Sequence, residues 1–268
     1  MDRAVATTPH AGGDLRVAAV LGTAAGVSVI ALVPYLLQLM PGLVSRIPVP
    51  FTVFVLAQAL QAALLCTGLA WLGLRMGHRV GLGAPLLQRW INGARYPMTA
   101  SPARPLRACL LGSLAAVAIV GLAQVLDPFL PLSRVQPVMA DPMLAARNGL
   151  LASFYGGIAE ELQLRLFLVT LVVWVWSRRG QRVPSRRIYI GAIVVAALVF
   201  GIGHLPAAAG VWPLDAVVVL RVVLLNAVGG LTFGWLFWRS GLEMAMLGHF
   251  CADLVLHVLL PLSGVARL

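Results

Sequence analysis

The chain has 268 residues, of which 60% are hydrophobic and only 11% are charged, and its mean hydropathy is +0.92. These values exclude a soluble globular domain and a disordered chain, because both carry far more charge. The net charge of +11 comes from twenty basic residues that are all arginine. In so apolar a chain their placement indicates membrane topology, and no nucleic-acid partner is expected.

Seven apolar runs with few charges follow one another along the chain. Each approaches or exceeds the roughly 20 residues that a helix needs to cross the hydrocarbon core of a bilayer. They predict an all-α, polytopic transmembrane helical bundle with about seven spans, or eight if the longest run includes an interfacial helix. The runs are 17–40, 51–74, 106–126, 143–177, 188–205, 214–238 and 242–261.

Three segments are predicted along the chain. The polar residues 1–14 are expected to form a flexible tail, and 15–142 to form the N-terminal spans with a basic connector at 75–107. Apolar residues alternate with polar ones near the middle of this connector, which predicts a short helix in the membrane interface around 86–92. Ionisable residues inside spans gather after residue 155, so the membrane domain 143–268 is predicted to carry the chemistry.

The distribution of arginine predicts the orientation of the chain. The connector 75–107 has six arginines and no acid, and the loop 178–187 has five arginines. The alternate connectors, 127–142 and 206–215, contain Asp127, Asp141 and Asp215. The positive-inside rule therefore predicts a multi-pass protein of the cell membrane with a cytoplasmic N-terminus.

Polar side chains inside the later spans form a second pattern. A charged side chain at the bilayer centre costs on the order of 3 kcal/mol, so such residues usually have a function. Glu161 and Arg165 are four residues apart and share one helical face, as do His249 and Asp253. Together with Glu160 and His204, these residues supply a carboxylate base, imidazoles and an orienting acid, which are the groups used to activate water.

Two other functions remain open at this point. The ion pair and the histidines could hold together a non-proteolytic membrane scaffold or an immunity-type protein. They could also form the proton relay of a proton-coupled transporter, although many transporters show an internal repeat and none is visible here.

Three short motifs resemble those of a known family. "EELQLR" (160–165) fits the pattern EExxxR, "FGIGH" (200–204) fits FxxxH, and "HFCAD" (249–253) fits HxxxN/D. In this order, each on its own span, they are similar to the motifs of the CPBP family of intramembrane proteases. That family includes the CAAX prenyl endopeptidases and the bacteriocin-processing proteases.

The resemblance implies an intramembrane endopeptidase that cleaves a membrane-anchored protein or peptide. It implies that Glu160 activates water with His204, and that His249 and Asp253 stabilise the oxyanion. The resemblance also places Glu161 among the catalytic residues. Arg165 pairs with it, and the motif's Phe200 is a supporting residue.

The resemblance leaves the cofactor open and shows two departures from the family pattern. Family members are described both as glutamate proteases and as metalloproteases; zinc is the candidate metal, with Glu160, His204, His249 and Asp253 as candidate ligands. Leu166 stands where glycine is usual, which is expected to alter packing beside the acid pair. Asp253 stands where asparagine is common, and an ionised aspartate can only accept hydrogen bonds.

One geometric expectation follows. If the motifs form one site, the carboxylate of Glu160 and the rings of His204 and His249 should lie within roughly 4–8 Å of each other, allowing for a bridging water.

Overall fold

The structure is a computed structural model that describes residues 11–40, 42–93, 103–134, 141–177 and 184–264. Over these residues the chain is helical with no β-strand, so the predicted all-α fold class is confirmed. The α-helices are α1 (Ala11–Leu39), α2 (Phe51–Val80), α3 (Pro85–Asn92), α4 (Ala103–Leu126), α5 (Pro142–Tyr155), α6 (Thr170–Ser177), α7 (Arg186–Gly203), α8 (Leu205–Ala209), α9 (Ala216–Ser240), α10 (Leu242–Asp253) and α11 (Leu260–Leu262).

Six helical stretches in the described residues are long and apolar enough to cross a membrane. They correspond to six of the seven predicted runs, and they make this a multi-pass membrane protein. Their bounds are Gly13–Leu39, Phe51–Val80, Ala103–Phe129, Arg186–Ala209, Ala216–Ser240 and Leu242–Leu262. The remaining run, 143–177, folds into one continuous helix that includes α5 and α6. We call it the composite helix.

The composite helix contains two π-helical segments, Gly156–Glu160 and Leu162–Val169, between α5 and α6. It begins at Pro142, and the side chain of Asp141 accepts a hydrogen bond of 3.0 Å from the backbone N–H of Met143. A proline in the first turn preceded by such a cap is a strong helix start. The π segments widen the helix at the acid pair. In other proteins π-helical turns are frequently found at functional sites.

The composite helix lies among α1, α2, α7, α9 and α10. Its buried face consists largely of Leu162, Leu166, Val169 and Val173. Helices α1 and α2 therefore contact the segment with the acid pair directly, and the segments predicted as 15–142 and 143–268 share one helical bundle.

The N-terminal end of the bundle differs from the expectation. Helix α1 begins at Ala11, so the last four residues of the predicted tail 1–14 are helical; residues 1–10 lie outside the described residues. Asp14 is fully buried, and its two carboxylate oxygens lie 2.9 and 3.0 Å from Nε2 of His78 in α2. This contact fixes the first turn of α1, because leaving a buried carboxylate unpaired is costly.

The basic connector contains the predicted short helix as α3. Leu87 and Ile91 pack against the core, while Trp90 is exposed. The connection from α9 to α10 is the single residue Gly241, with φ of +94°, a conformation that favours glycine. Arg95 and the arginines at 178, 179 and 182 lie outside the described residues.

Candidate active site

The acid pair lies at the junction of the two π segments. Glu161 Oε1 is 2.9 Å from Nη1 of Arg165, one helical turn further along, and both side chains are buried. The i, i+4 spacing in the sequence thus produces the expected ion pair. Removing such charges from water is costly, so the pair must be well compensated where it lies.

Glu161 also connects the composite helix to α10. The same oxygen, Oε1, lies 2.8 Å from Nδ1 of His249. A carboxylate accepts hydrogen bonds, so His249 donates its Nδ1–H to Glu161, and its Nε2 atom points away from this contact. One oxygen of Glu161 therefore orients both the guanidinium of Arg165 and the ring of His249.

Glu160 faces the Nε2 atoms of both histidines. Its Oε1 atom is 4.0 Å from Nε2 of His204, and its Oε2 atom is 3.8 Å from Nε2 of His249. Glu160 therefore lies within the predicted distance of both histidine rings. Both distances are too long for direct hydrogen bonds, and a water beside each pair of atoms can hydrogen-bond to both.

His204 occupies the turn between α7 and α8. Its Nδ1 atom is 2.8 Å from the backbone carbonyl oxygen of Phe200, which can only accept, so Nδ1 carries the proton. The Phe200 ring meets the His204 ring edge to face, with centroids 4.7 Å apart. The motif FxxxH therefore positions the histidine through one backbone and one ring contact.

Exposure differs among the three groups. The side chains of His204 and Glu160 are 37% and 22% exposed, whereas that of His249 is only 6% exposed. His204 and Glu160 therefore line the accessible side of the site, and His249 forms its inner wall.

Asp253 is the last residue of α10, and its Oδ1 atom lies 3.7 Å from Nε2 of His249. The aspartate thus faces the same ring nitrogen as Glu160. A Cβ atom added to Gly156 would lie 2.6 Å from Oδ2 of Asp253 and 3.1 Å from Nε2 of His249. A larger residue at that position would force the Asp253 carboxylate or the His249 ring to shift.

Leu166, the departure beside the acid pair, is completely buried. It lies against Gly73 in α2, where an added Cβ would meet the Leu166 backbone carbonyl and would come 3.0 Å from its Cγ atom. The expected change in packing thus falls at the contact between the composite helix and α2.

Phe233 in α9 is a site residue that the motifs do not include. Its ring stacks on that of His249, with centroids 4.4 Å apart and an interplanar angle of 18°. The guanidinium carbon of Arg165 lies 5.4 Å from the Phe233 ring and 5.1 Å from the Phe200 ring. The sequence offers no signal for Phe233, because one more apolar residue in an apolar span is not distinctive. The adjacent glycines Gly156 and Gly157, shortly before Glu160 and Glu161, are a sequence signal that another helix packs closely at this point.

The four candidate metal ligands do not fit a metal centre as they are arranged. Within the described ranges, no three or more His, Cys, Asp or Glu side chains are placed to hold one ion. Glu161 and the Phe200 carbonyl engage the Nδ1 atoms of the two rings, and both Nε2 atoms face a carboxylate across 3.7–4.0 Å.

Residues 142–255 match the Rce1-like family model, which is described as type II CAAX prenyl endopeptidase Rce1-like. Comparisons with curated proteins and with solved structures gave no match. The matched segment contains the acid pair, both histidines, Asp253, Phe200 and Phe233. It begins with the composite helix and ends just after α10. Residues 142–255 are thus similar to the Rce1-like type II CAAX prenyl endopeptidases, which confirms the resemblance to the CPBP proteases.

Proposed function

We propose that the protein is an intramembrane endopeptidase in which Glu160 activates the water that cleaves the peptide bond. The observation that carries this proposal is the position of the Glu160 carboxylate between two imidazoles, 4.0 and 3.8 Å from their Nε2 atoms. The family match of residues 142–255 supports the reaction class.

The hydrogen-bond directions define a position for the attacking water. Nδ1 of His204 donates to the Phe200 carbonyl, so in the neutral ring Nε2 has a free lone pair facing Glu160. A water between these groups donates one hydrogen to the Glu160 carboxylate and the other to Nε2 of His204. Its oxygen lone pairs are then directed away from both acceptors, toward a substrate carbonyl carbon.

The proton transfers balance within this arrangement. Glu160 takes a proton as the water oxygen bonds to the carbonyl carbon, and the carbonyl oxygen becomes an oxyanion. In its protonated form, His249 donates Nδ1–H to Glu161 and Nε2–H toward the oxyanion. Glu160 then gives its proton to the leaving nitrogen as the C–N bond breaks, which releases a carboxylic acid and an amine.

We propose that Asp253 supports this step from the Nε2 side of His249, and that the Glu161–Arg165 pair supports it from the Nδ1 side. Asp253 accepts rather than donates when ionised, so its position 3.7 Å from Nε2 suits orientation of the ring better than direct contact with an oxyanion. Arg165 balances the charge of Glu161, and its guanidinium lies against Phe200 and Phe233. These residues position the catalytic groups without touching the reacting atoms.

The substrate is proposed to be a membrane-associated protein or peptide precursor in the cell membrane. Glu160 lies near the middle of the composite helix, so a substrate must reach it within the bilayer or from a cavity that enters it. The arginine-rich connectors are proposed to face the cytoplasm, together with the N-terminus.

The test compares Glu160→Gln with the wild type in membranes of expressing cells, and new peptide termini are measured by quantitative mass spectrometry. Purified protein in liposomes is assayed in parallel on a prenylated CAAX peptide and a single-span peptide. We expect cleavage to fall by about 10²–10⁴-fold, because a positioned base contributes about that factor. Glu243→Gln is the matched control, since Glu243 instead accepts a 2.9 Å hydrogen bond from the N–H of Leu87. Undiminished cleavage by Glu160→Gln would show that Glu160 is not the base.

A further inference from the structure

Two polar side chains beside Glu160 belong to none of the three motifs. Tyr155, Glu160 and Gln163 are all partly exposed, whereas Glu161 and Leu162 between them are buried. The tyrosine hydroxyl and the glutamine amide therefore lie on the face of the composite helix that presents the Glu160 carboxylate. In an apolar helix such groups are unusual unless they have a partner to bind.

The π-helical backbone explains why Tyr155 and Glu160 share this face. In an α-helix of 3.6 residues per turn, side chains five residues apart point about 140° away from each other. A π-helical turn instead bonds residue i to residue i+5, and Gly156–Glu160 is such a segment. The Tyr155 hydroxyl is near enough to the Glu160 carboxylate to interact with it electrostatically. The widened turn thus adds a hydroxyl to the surroundings of Glu160.

Gln163 lies one turn beyond Glu160 and is oriented by α2. Its Nε2 atom is 3.9 Å from Sγ of Cys66, which is completely buried. Its side chain also interacts with the Tyr155 hydroxyl. A thiol is a weak acceptor, and a primary amide has two N–H donors and a carbonyl oxygen. The contact with Cys66 therefore orients the amide and leaves its carbonyl oxygen able to accept a hydrogen bond.

A peptide cleaved inside a membrane needs polar partners of this kind. In hydrocarbon, each backbone N–H or C=O without a hydrogen-bond partner is costly. The scissile peptide bond must leave a regular helix, because its carbonyl has to reach the attacking water and the oxyanion donor. The neighbouring peptide groups that are freed need partners in the protein at the depth of Glu160. A hydroxyl donor and an amide acceptor match one C=O and one N–H of an extended main chain.

We propose that Tyr155 and Gln163 form a binding site for the main chain of the substrate next to the scissile bond. The Tyr155 hydroxyl donates to one backbone carbonyl oxygen, and the Gln163 carbonyl oxygen accepts one backbone N–H. The ligand is an extended peptide segment, and these contacts contribute to affinity and register without reading its side chains. This inference rests on the proposed function, since it concerns the same site.

The experiment measures peptide binding to Glu160→Gln protein in liposomes, so that the peptide is not consumed. The probe is a fluorescent single-span peptide, and its dissociation constant is obtained from energy transfer to the labelled full chain. In this background we expect Tyr155→Phe and Gln163→Leu each to raise the dissociation constant about fivefold, because one neutral hydrogen bond contributes about that factor. Should Gln163→Leu fail to fold in a thermal unfolding assay, Tyr155→Phe alone decides the outcome.

Tyr189→Phe and Thr67→Val are the matched controls in the same background. The Tyr189 hydroxyl donates to the carbonyl of Val80 at the end of α2, and the Thr67 hydroxyl donates to the carbonyl of Ala63 within α2. Both controls should keep the dissociation constant within about twofold of the parent. Equal weakening in the controls, unchanged binding in the two site variants, or no binding of the peptide to the parent would refute the proposal.

Backbone esters in the peptide separate direct binding from a purely structural role of Gln163. Each peptide of a series carries one ester at a successive position across the span, which removes one backbone N–H. At one position the ester should weaken binding to Glu160→Gln protein about fivefold, but binding to Glu160→Gln/Gln163→Leu protein less than about twofold. Additive losses at every position would overturn the proposal. Undiminished cleavage by Glu160→Gln would refute only the assigned base, because binding is measured without cleavage.

Discussion

The ring of Phe233 stacks face to face on the ring of His249, with their centroids 4.4 Å apart. This contact joins α9 to α10 at the ring whose Nε2 atom faces Glu160. Replacing Phe233 with leucine removes the ring but keeps a buried apolar side chain. We expect the purified variant to lose about 1–2 kcal/mol of stability, and its cleavage rate to fall about tenfold because the imidazole is no longer held.

Phe237→Leu is the control for this variant. Phe237 lies one turn later in α9 and is equally buried. Its substitution should cause a similar fall in Tm while leaving cleavage within about twofold. A parallel loss of activity in both variants would mean that Phe233 contributes only to packing.

The ion pair of Glu161 with Arg165 predicts a different response from that of Glu160. In Glu161→Gln the guanidinium of Arg165 remains buried without a counter-charge, which typically costs about 3–5 kcal/mol. We expect a large fall in Tm in detergent and a low yield. The double variant Glu161→Gln/Arg165→Met should recover part of that stability without recovering cleavage. Failure of the second substitution to restore any stability would contradict the importance of this charge pair.

Gly156 provides a steric test of the site. A Cβ atom in Gly156→Ala would lie too close to Asp253 and His249, so we expect a folded protein with cleavage reduced by about a hundredfold or more, because displacement by about 1 Å can cost that much. Gly157→Ala is the neighbouring control, since its nearest contact would be the Met246 carbonyl at 3.3 Å. The prediction fails if the two alanine variants have equal activity.

Chelation tests the metal question directly. The candidate ligands do not form a metal site in the described residues, so we expect purified protein to retain cleavage after exhaustive treatment with a chelator. Added zinc should not increase the rate. Loss of activity on chelation with recovery on adding zinc would instead assign a metal role to Glu160 and the histidines.

Orientation in the membrane can be tested by cysteine labelling. In a background without Cys66, Cys109 and Cys251, we would introduce Trp90→Cys in α3 and Leu132→Cys after α4, since both side chains are highly exposed. An impermeant maleimide should label residue 132 from outside the cell and residue 90 only in inverted vesicles. The opposite pattern would reverse the proposed topology.

Local spacing and apolar length account for most of what the sequence predicts. The run 214–238 becomes α9 (Ala216–Ser240), because a span is defined by its length and hydropathy. The pairing of Glu161 with Arg165 follows from one helical turn. By contrast, Nε of Arg221 lies 2.6 Å from Oδ1 of Asp127, 94 residues away, and no local spacing relates the two.

The same limit applies inside the site. The stacking of Phe233 on His249 depends on how α9 lies beside α10, and the two π segments depend on how the backbone accommodates its neighbours. Such features follow from tertiary packing, which hydrophobic periodicity does not encode. The motifs could therefore indicate which residues meet but not which apolar side chains hold them.

The ion pair between Glu161 and Arg165 has a consequence for biogenesis, because both partners belong to one helix. In the proposed topology, the composite helix enters the bilayer before α9 and α10, which follow it in the chain. His249 is not yet present to share the charge of Glu161, but Arg165 already is. The helix thus brings its own counter-charge into the membrane, which lowers the cost of inserting a buried carboxylate. Only Glu160 must wait for later helices to supply its partners, so the site is completed when α10 arrives.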